Sequence, residues 1–152
     1  MPGERPAGTG DDSWAIYRRL LGYARPYVPQ FAIGVVGMLL FAGTDKNDAR
    51  VQAAYKWITQ NYTLETNPGT NKKHGLFYFY NVFAKVMAAY GEDSFVDGKG
   101  QRHNWRDELA LKLLALQNAD GSWANTESKA WWEDRPQLVT AWSVIALEQA
   151  VK

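Results

Sequence analysis

No charged residue lies between Arg25 and Asp45. A helix built from such a stretch has no polar face to turn to water, so the segment has to be covered by lipid or by protein. Its apolar heart is Phe31-Ala-Ile-Gly-Val-Val-Gly-Met-Leu-Leu-Phe-Ala42. That is shorter than the about 20 residues a helix needs to cross a bilayer. In its longer form the run opens at Tyr27 and closes at Gly43, at the expense of taking in Pro29 and Gln30. Three readings compete: a membrane-associated helix stopped by Thr44-Asp45-Lys46, a secretory hydrophobic region, and a buried helix of a soluble core. Arginines ahead of the run and none just after it fit the positive-inside bias of the first two. The long leader, its Trp14, Tyr17 and Tyr23, and the lack of an A-x-A site weigh against a secretory signal. Membrane association is therefore the leading reading.

The chain divides into two unlike pieces, a leader over 1–43 and a soluble-looking module over 44–152. Arg5, Arg18, Arg19 and Arg25 face only Glu4, Asp11 and Asp12 in the leader, whereas acids and bases balance beyond Thr44. With 152 residues, 46% hydrophobic, the chain has enough apolar material for one packed domain. A formal net charge of +1 offers no cationic track for nucleic acid. Zero Cys and two His exclude thiolate nucleophiles, sulfur-ligated zinc and an all-His metal centre, so no metal and no cofactor is expected. Aromatic residues make up 14%, a density that suits a large core or a pocket for an apolar ligand.

Beyond Thr44 the apolar residues recur at helical spacing. Asn47 is placed to cap a helix carrying Val51, Ala54, Ile58 and Tyr62. After the turn cluster Thr66-Asn-Pro-Gly-Thr70 comes Leu76-Phe-Tyr-Phe-Tyr-Asn-Val-Phe-Ala-Lys-Val-Met-Ala-Ala-Tyr90, apolar nearly all round and stopped by Gly91. Phe95-Val-Asp-Gly-Lys-Gly-Gln-Arg-His103 reads as a short ribbon turning at Asp97-Gly98. It lacks the acid spacing of a calcium loop. Asn104 caps a third helix, and Pro136 opens a fourth. The helices are expected over about 48–61, 76–90, 105–118 and 137–151. Asn61 and Asn118 are 57 residues apart, and Gly75 and Pro136 are 61 apart. In each pair a more polar helix precedes a more apolar one, which is an outer–inner hairpin used twice.

Two resemblances follow from strings of residues. Asp11-Asp-Ser-Trp-Ala-Ile-Tyr-Arg-Arg-Leu-Leu-Gly-Tyr-Ala-Arg-Pro-Tyr27, with Gln30-Phe31 and the apolar run, resembles the start of a lipid A export ABC transporter. That resemblance implies the entry to a first transmembrane helix of a permease. No G-x-x-x-x-G-K-[ST] phosphate loop occurs in this sequence, so ATP-driven transport does not carry over. From Asp45 to Lys152 the chain resembles prenyltransferase and squalene oxidase repeat proteins of the squalene–hopene cyclase type. Gln117-Asn-Ala-Asp-Gly-Ser-Trp123 looks like their Q-x-x-D-G-x-W element. His103-Asn-Trp-Arg106 and Pro136-Gln-Leu-Val-Thr-Ala-Trp142 agree with it. The resemblance implies an all-α fold, here a partial α/α toroid of two outer–inner hairpins with a separate N-terminal hydrophobic helix. It also implies that Gln117, Asp120, Gly121 and Trp123 form a structural brace. Gln117 would serve backbone groups at a neighbouring helix end, with Trp123 packed beside it.

The same resemblance places chemistry at the rim where the inner helices begin. A cyclase needs a D-x-D-D acid, and a protein prenyltransferase needs a cysteine for zinc; neither is present. His74, Glu133 and Asp134 are the acid–base candidates that remain. Phe77, Tyr78, Tyr80, Trp131, Trp132 and Trp142 are the candidates for lining an isoprenoid or triterpenoid site. In the favoured competing reading Asp134 caps its helix, His74 is solvated and the aromatics are core, with His103, Arg106 and Asp107 fixing a loop. The function expected is a catalytically incomplete, bacterial cyclase-like repeat domain, membrane-associated or cytoplasmic, with self-association through open repeat faces. The alternatives are a helical-repeat interaction module and a truncated ABC transporter permease fragment. Fractionation tests the leader. The full chain should partition with membranes and a chain starting at Thr44 should not; equal solubility of the two refutes the membrane reading.

Overall fold

A computed structural model describes residue 18, residues 43–69 and residues 72–152. The expected leader helix lies outside the described residues, except for Gly43 at its end. What is described is mostly helical, four helices with one antiparallel two-stranded sheet.

Helix α1 spans Ala49–Gln60. Its cap is Asp48, one residue later than the expected Asn47. Asp48 Oδ1 accepts the Arg50 amide at 2.9 Å, while Asn47 bonds back to Asp45. A carboxylate also suits the positive end of the helix dipole better than an amide. The Arg50 guanidinium on the same carboxyl lowers Asp48 to about 2. Helix α2, Leu76–Tyr90, lies between two left-handed glycines, Gly75 at φ 68° and Gly91 at φ 85°. The Gly91 amide closes the helix on the Met87 carbonyl at 3.1 Å.

Strands β1, Ser94–Val96, and β2, Arg102–Asn104, pair antiparallel with Phe95 opposite His103. The turn between them is longer than the expected two-residue reversal. Asp97 Oδ1 accepts the amides of Lys99 and Gln101, each at 2.8 Å, and Gly100 rather than Gly98 takes the positive φ. These amide bonds, led by Gln101, draw the Asp97 carboxyl below its ordinary range. Helix α3, Trp105–Ala115, is capped by Asn104 as expected, through the Arg106 and Asp107 amides. It stops short of Asn118 because the following turn claims those groups: the Asn118 amide goes to the Ser122 carbonyl at 2.8 Å. Helix α4, Pro136–Ala150, opens on Pro136, and its first turn receives no side-chain cap.

Helix directions follow from contacts at their ends. Gln52 and Tyr55 of α1 meet Tyr90 at the end of α2, and the Tyr80 hydroxyl donates to the Leu64 carbonyl just beyond α1. The two helices are antiparallel. Arg106 at the start of α3 donates to the Gln149 carbonyl near the end of α4, so this pair is antiparallel as well. Glu133, just ahead of α4, reaches the first turn of α2, which puts both N-termini at one end. The most extensive helix contact is α2 against α4, with α3 packed on α4. The two apolar helices thus run parallel, flanked by the two more polar ones. Tyr80, Phe83, Met87, Trp105, Leu109, Leu113 and Val139 are fully buried between them.

Trp123 joins the second hairpin. Its ring is buried, Nε1 donates to the Leu113 carbonyl at 2.7 Å, and its amide donates to Thr140 Oγ1 at 3.1 Å. The indole therefore gives a second donor to a carbonyl in the last turn of α3, which the Leu116 amide also reaches at 3.1 Å. Gln117 does not serve a neighbouring helix. It is exposed, and its Nε2 closes its own turn on the Gly121 carbonyl at 2.9 Å. Asp120 closes the same turn through the Ser122 amide and hydroxyl. Trp123→Ala should lower stability by about 3–5 kcal/mol in denaturant melts, the range for emptying a buried aromatic site. Gln117→Ala should cost about 1 kcal/mol or less, because water can replace an exposed partner.

Candidate functional site

The rim where α2 and α4 begin gathers most of the residues singled out from the sequence. At its centre Glu133 is fully buried. Oε2 accepts the Leu76 amide at 3.0 Å and Asn125 Nδ2 at 2.7 Å, and Oε1 accepts the Tyr78 amide at 2.9 Å. Asn125 also donates from Nδ2 to the Lys73 carbonyl at 2.6 Å and from its backbone amide to the Glu133 carbonyl at 2.7 Å. The loop before α4 is thereby stitched to the loop before α2. Burial raises the Glu133 carboxyl above its ordinary range, against the opposing pull of its Asn125, Tyr78 and Leu76 donors.

Asp134 is exposed, and the cap position of α4 belongs to Arg135, which makes no side-chain cap bond. The expected Asp134 cap is therefore not formed, since Pro136 removes one amide that would need it. His74 is exposed, and its carbonyl accepts Asn67 Nδ2 at 3.0 Å. The three acid–base candidates thus share one rim but not one environment.

The aromatic candidates divide likewise. Tyr78, half-buried, stacks on Trp131 with ring centres 5.5 Å apart and meets Trp142 edge-on, also at 5.5 Å. Phe77 and Tyr80 are buried core residues, edge to face at 5.7 Å. Phe77 borders a cleft of only about 60 Å³. Trp131 and Trp132 are 46% and 67% exposed, and both sit in left-handed backbone, at φ 62° and 57°. Each such residue costs about 1–3 kcal/mol of strain, so the surrounding contacts must hold it there. Trp131 is held by Tyr78 and by Gly75, where an added Cβ would lie 3.1 Å from the indole Cδ1. Trp132 has a wide, open cleft of about 400 Å³ beside it, shared with Arg135 and Leu138.

A second polar cluster lies at the ribbon. His103 Nδ1 is 3.0 Å from both Glu108 oxygens, and Nε2 is 3.4 Å from Asp97 Oδ2. The Tyr62 hydroxyl donates to Glu108 Oε2 at 3.0 Å. Burial, aided by the Glu108 charge, pushes the Tyr62 phenol well above its ordinary range. The expected partners of His103 are engaged elsewhere. Arg106 binds Asp93 at 2.6 Å, and Asp107 binds Asn104 at 2.6 Å within the helix cap. His103 still fixes a loop, but with different acids. Among the described residues no group of three or more His, Asp or Glu is arranged to hold a metal.

The sequence offers Asp134 as a cap but does not tie Glu133 to α2, because no local signal links a residue to a helix 57 positions earlier. No family model matches the chain, and no solved structure matches it. Among curated proteins, the ATP-dependent lipid A-core flippase of Pseudomonas aeruginosa PAO1 is 46% identical over 127 residues, covering 76% of this chain and 21% of that protein. The protein of the same name from Pseudomonas fluorescens Pf0-1 is 50% identical over 44 residues, covering 29% of this chain and 7% of its own length. The chain thus spans about a fifth or less of the flippases it resembles. Among the described residues no helix is long and apolar enough to cross a membrane.

The Glu133 geometry makes a pH prediction. Its folded-state affinity for a proton is raised above the ordinary value of 4.5, so ionisation costs more in the folded chain than in the unfolded one. Stability from this group is full on the acid side and falls as pH rises from 4.5 through the folded value. Glu133→Gln should flatten that dependence. It should also cost about 1–3 kcal/mol, since an amide offers one acceptor oxygen where the carboxyl has two. Urea melts at several pH values check both.

Proposed function

We propose that this chain is a permease-side part of a lipid A-core flippase-type ABC transporter, joined to a helical-hairpin module, and that it acts at a bacterial membrane without hydrolysing ATP. The observation that carries the reading is the 46% identity over 127 residues to a protein named an ATP-dependent lipid A-core flippase. The charge-free run from Tyr27 to Gly43 supports it as a membrane contact. The missing phosphate loop separates this sequence from the ATP-dependent step. The ligand class that follows is a lipid A-type amphiphile, anionic at one end and apolar at the other.

A second reading has its own support. The buried Trp123 that ties α3 to α4, and the parallel inner helices clamped at their N-termini, fit a hairpin pair of the terpenoid-cyclase kind. On that reading Phe77, Tyr78, Tyr80, Trp131, Trp132 and Trp142 would face an isoprenoid, Gln117, Asp120, Gly121 and Trp123 would be the brace, and His74, Glu133 and Asp134 would be the acid–base candidates. Cyclisation would need a positioned strong acid and a dry, closed cavity, and two hairpins provide neither.

The purified full chain should bind vesicles containing lipid A in preference to vesicles of phosphatidylcholine alone. It should release no phosphate from ATP, and it should leave squalene and prenyl diphosphates unchanged. Indifference to lipid A refutes the first reading. Turnover of squalene that Asp134→Asn abolishes would replace it with the second.

A further inference from the structure

We propose that the Trp131–Trp132 rim is a docking surface for an anionic bilayer. Three observations converge on it. Two consecutive tryptophans are exposed in left-handed backbone that an L residue rarely adopts. Core packing would ordinarily draw such rings inward, so a geometry that holds Trp132 outward at a backbone cost points to use outside the fold. Indole is amphipathic and settles at the headgroup level of membranes.

The charges around the pair complement an anionic surface. Lys129 and Arg135, both exposed, flank the tryptophans. Against these two cations stands one exposed acid of the same loop, Asp134, while Glu127 is paired with Lys73. Glu133, the third acid of the loop, is turned inward onto α2 and shows no charge to the surface. Trp132, Arg135 and Leu138 share an open cleft, so an indole and an aliphatic chain can enter the interface while the guanidinium meets a lipid phosphate. This inference draws on the proposed function only for the presence of a bilayer, and it does not use the leader.

The absence of cysteine makes a direct test available. In the full chain, an environment-sensitive dye is attached after Gln137→Cys, on the rim, or after Val96→Cys, on the exposed ribbon beyond the other end of α2. With vesicles of phosphatidylcholine and phosphatidylglycerol, the dye at 137 should shift to the blue and the dye at 96 should not. Phosphatidylcholine alone should give no shift. Arg135→Gln should raise the lipid concentration for half the shift about fivefold, the worth of one cation near an anionic surface. Trp132→Ala, with helicity checked by circular dichroism, should raise it by a similar factor, and added salt should act in the same direction. A chain that sediments with vesicles while the dye at 137 stays in water sinks this proposal and leaves the leader reading standing. Equal shifts at 137 and 96, or shifts at 137 that neither substitution alters, also overturn it. A shift at 137 without preference for lipid A supports the rim and counts against the proposed lipid A ligand.

Discussion

Helix α2 is the most apolar helix described, and it starts at a glycine that has no side chain to cap it. Gly75 is constrained twice, by its positive φ and by the Trp131 indole lying where a Cβ would be. The first-turn amides of α2 therefore need an acceptor from elsewhere, and Glu133 supplies it from 57 residues further along the chain. A carboxylate at a helix N-terminus is favourable in itself. Here it also fixes the register of the two hairpins, because both oxygens are held while the same loop carries Trp131 onto Tyr78. The parallel packing of α2 against α4 depends on this clamp. Burial makes the charge expensive, and its three hydrogen bonds offset that cost.

The second hairpin has its own fastening of a different kind. Trp123 fills core volume with its ring and ties its N–H to the Leu113 carbonyl in the last turn of α3, so one side chain joins packing to a polar tether. Gln117 and Asp120 shape the turn that delivers the ring, and both do so from the surface. The turn thus delivers a tryptophan to the core, with the Gln117 amide bonded within its own loop.

The functional readings rest on different parts of the molecule. Similarity to lipid A-core flippases is a property of the sequence. The described residues add an aromatic and cationic rim at the shared N-terminal end of α2 and α4. Trp132 is 67% exposed there, whereas Trp131 packs on Tyr78 and Gly75, and Phe77 and Tyr80 lie in the core. The proposed membrane contact draws on both the similarity and the rim.

Local signals were enough to place the helices. The 3.6-residue spacing of Val51, Ala54 and Ile58, the Asn104 cap, Gly91 and Pro136 each act through neighbours a few residues away, so the sequence alone determined four helices and a ribbon close to their observed bounds. The early end of α3 and the shift from Asn47 to Asp48 are also local, set by which side chain reaches an amide first. What only the tertiary structure decided is which polar groups meet across the hairpins: Glu133 with α2, His103 with Glu108 and Asp97, and Trp131 with Tyr78. Sequence spacing is silent on these because their partners lie in different elements. Helix packing brings them together, and burial then makes each unpaired alternative costly.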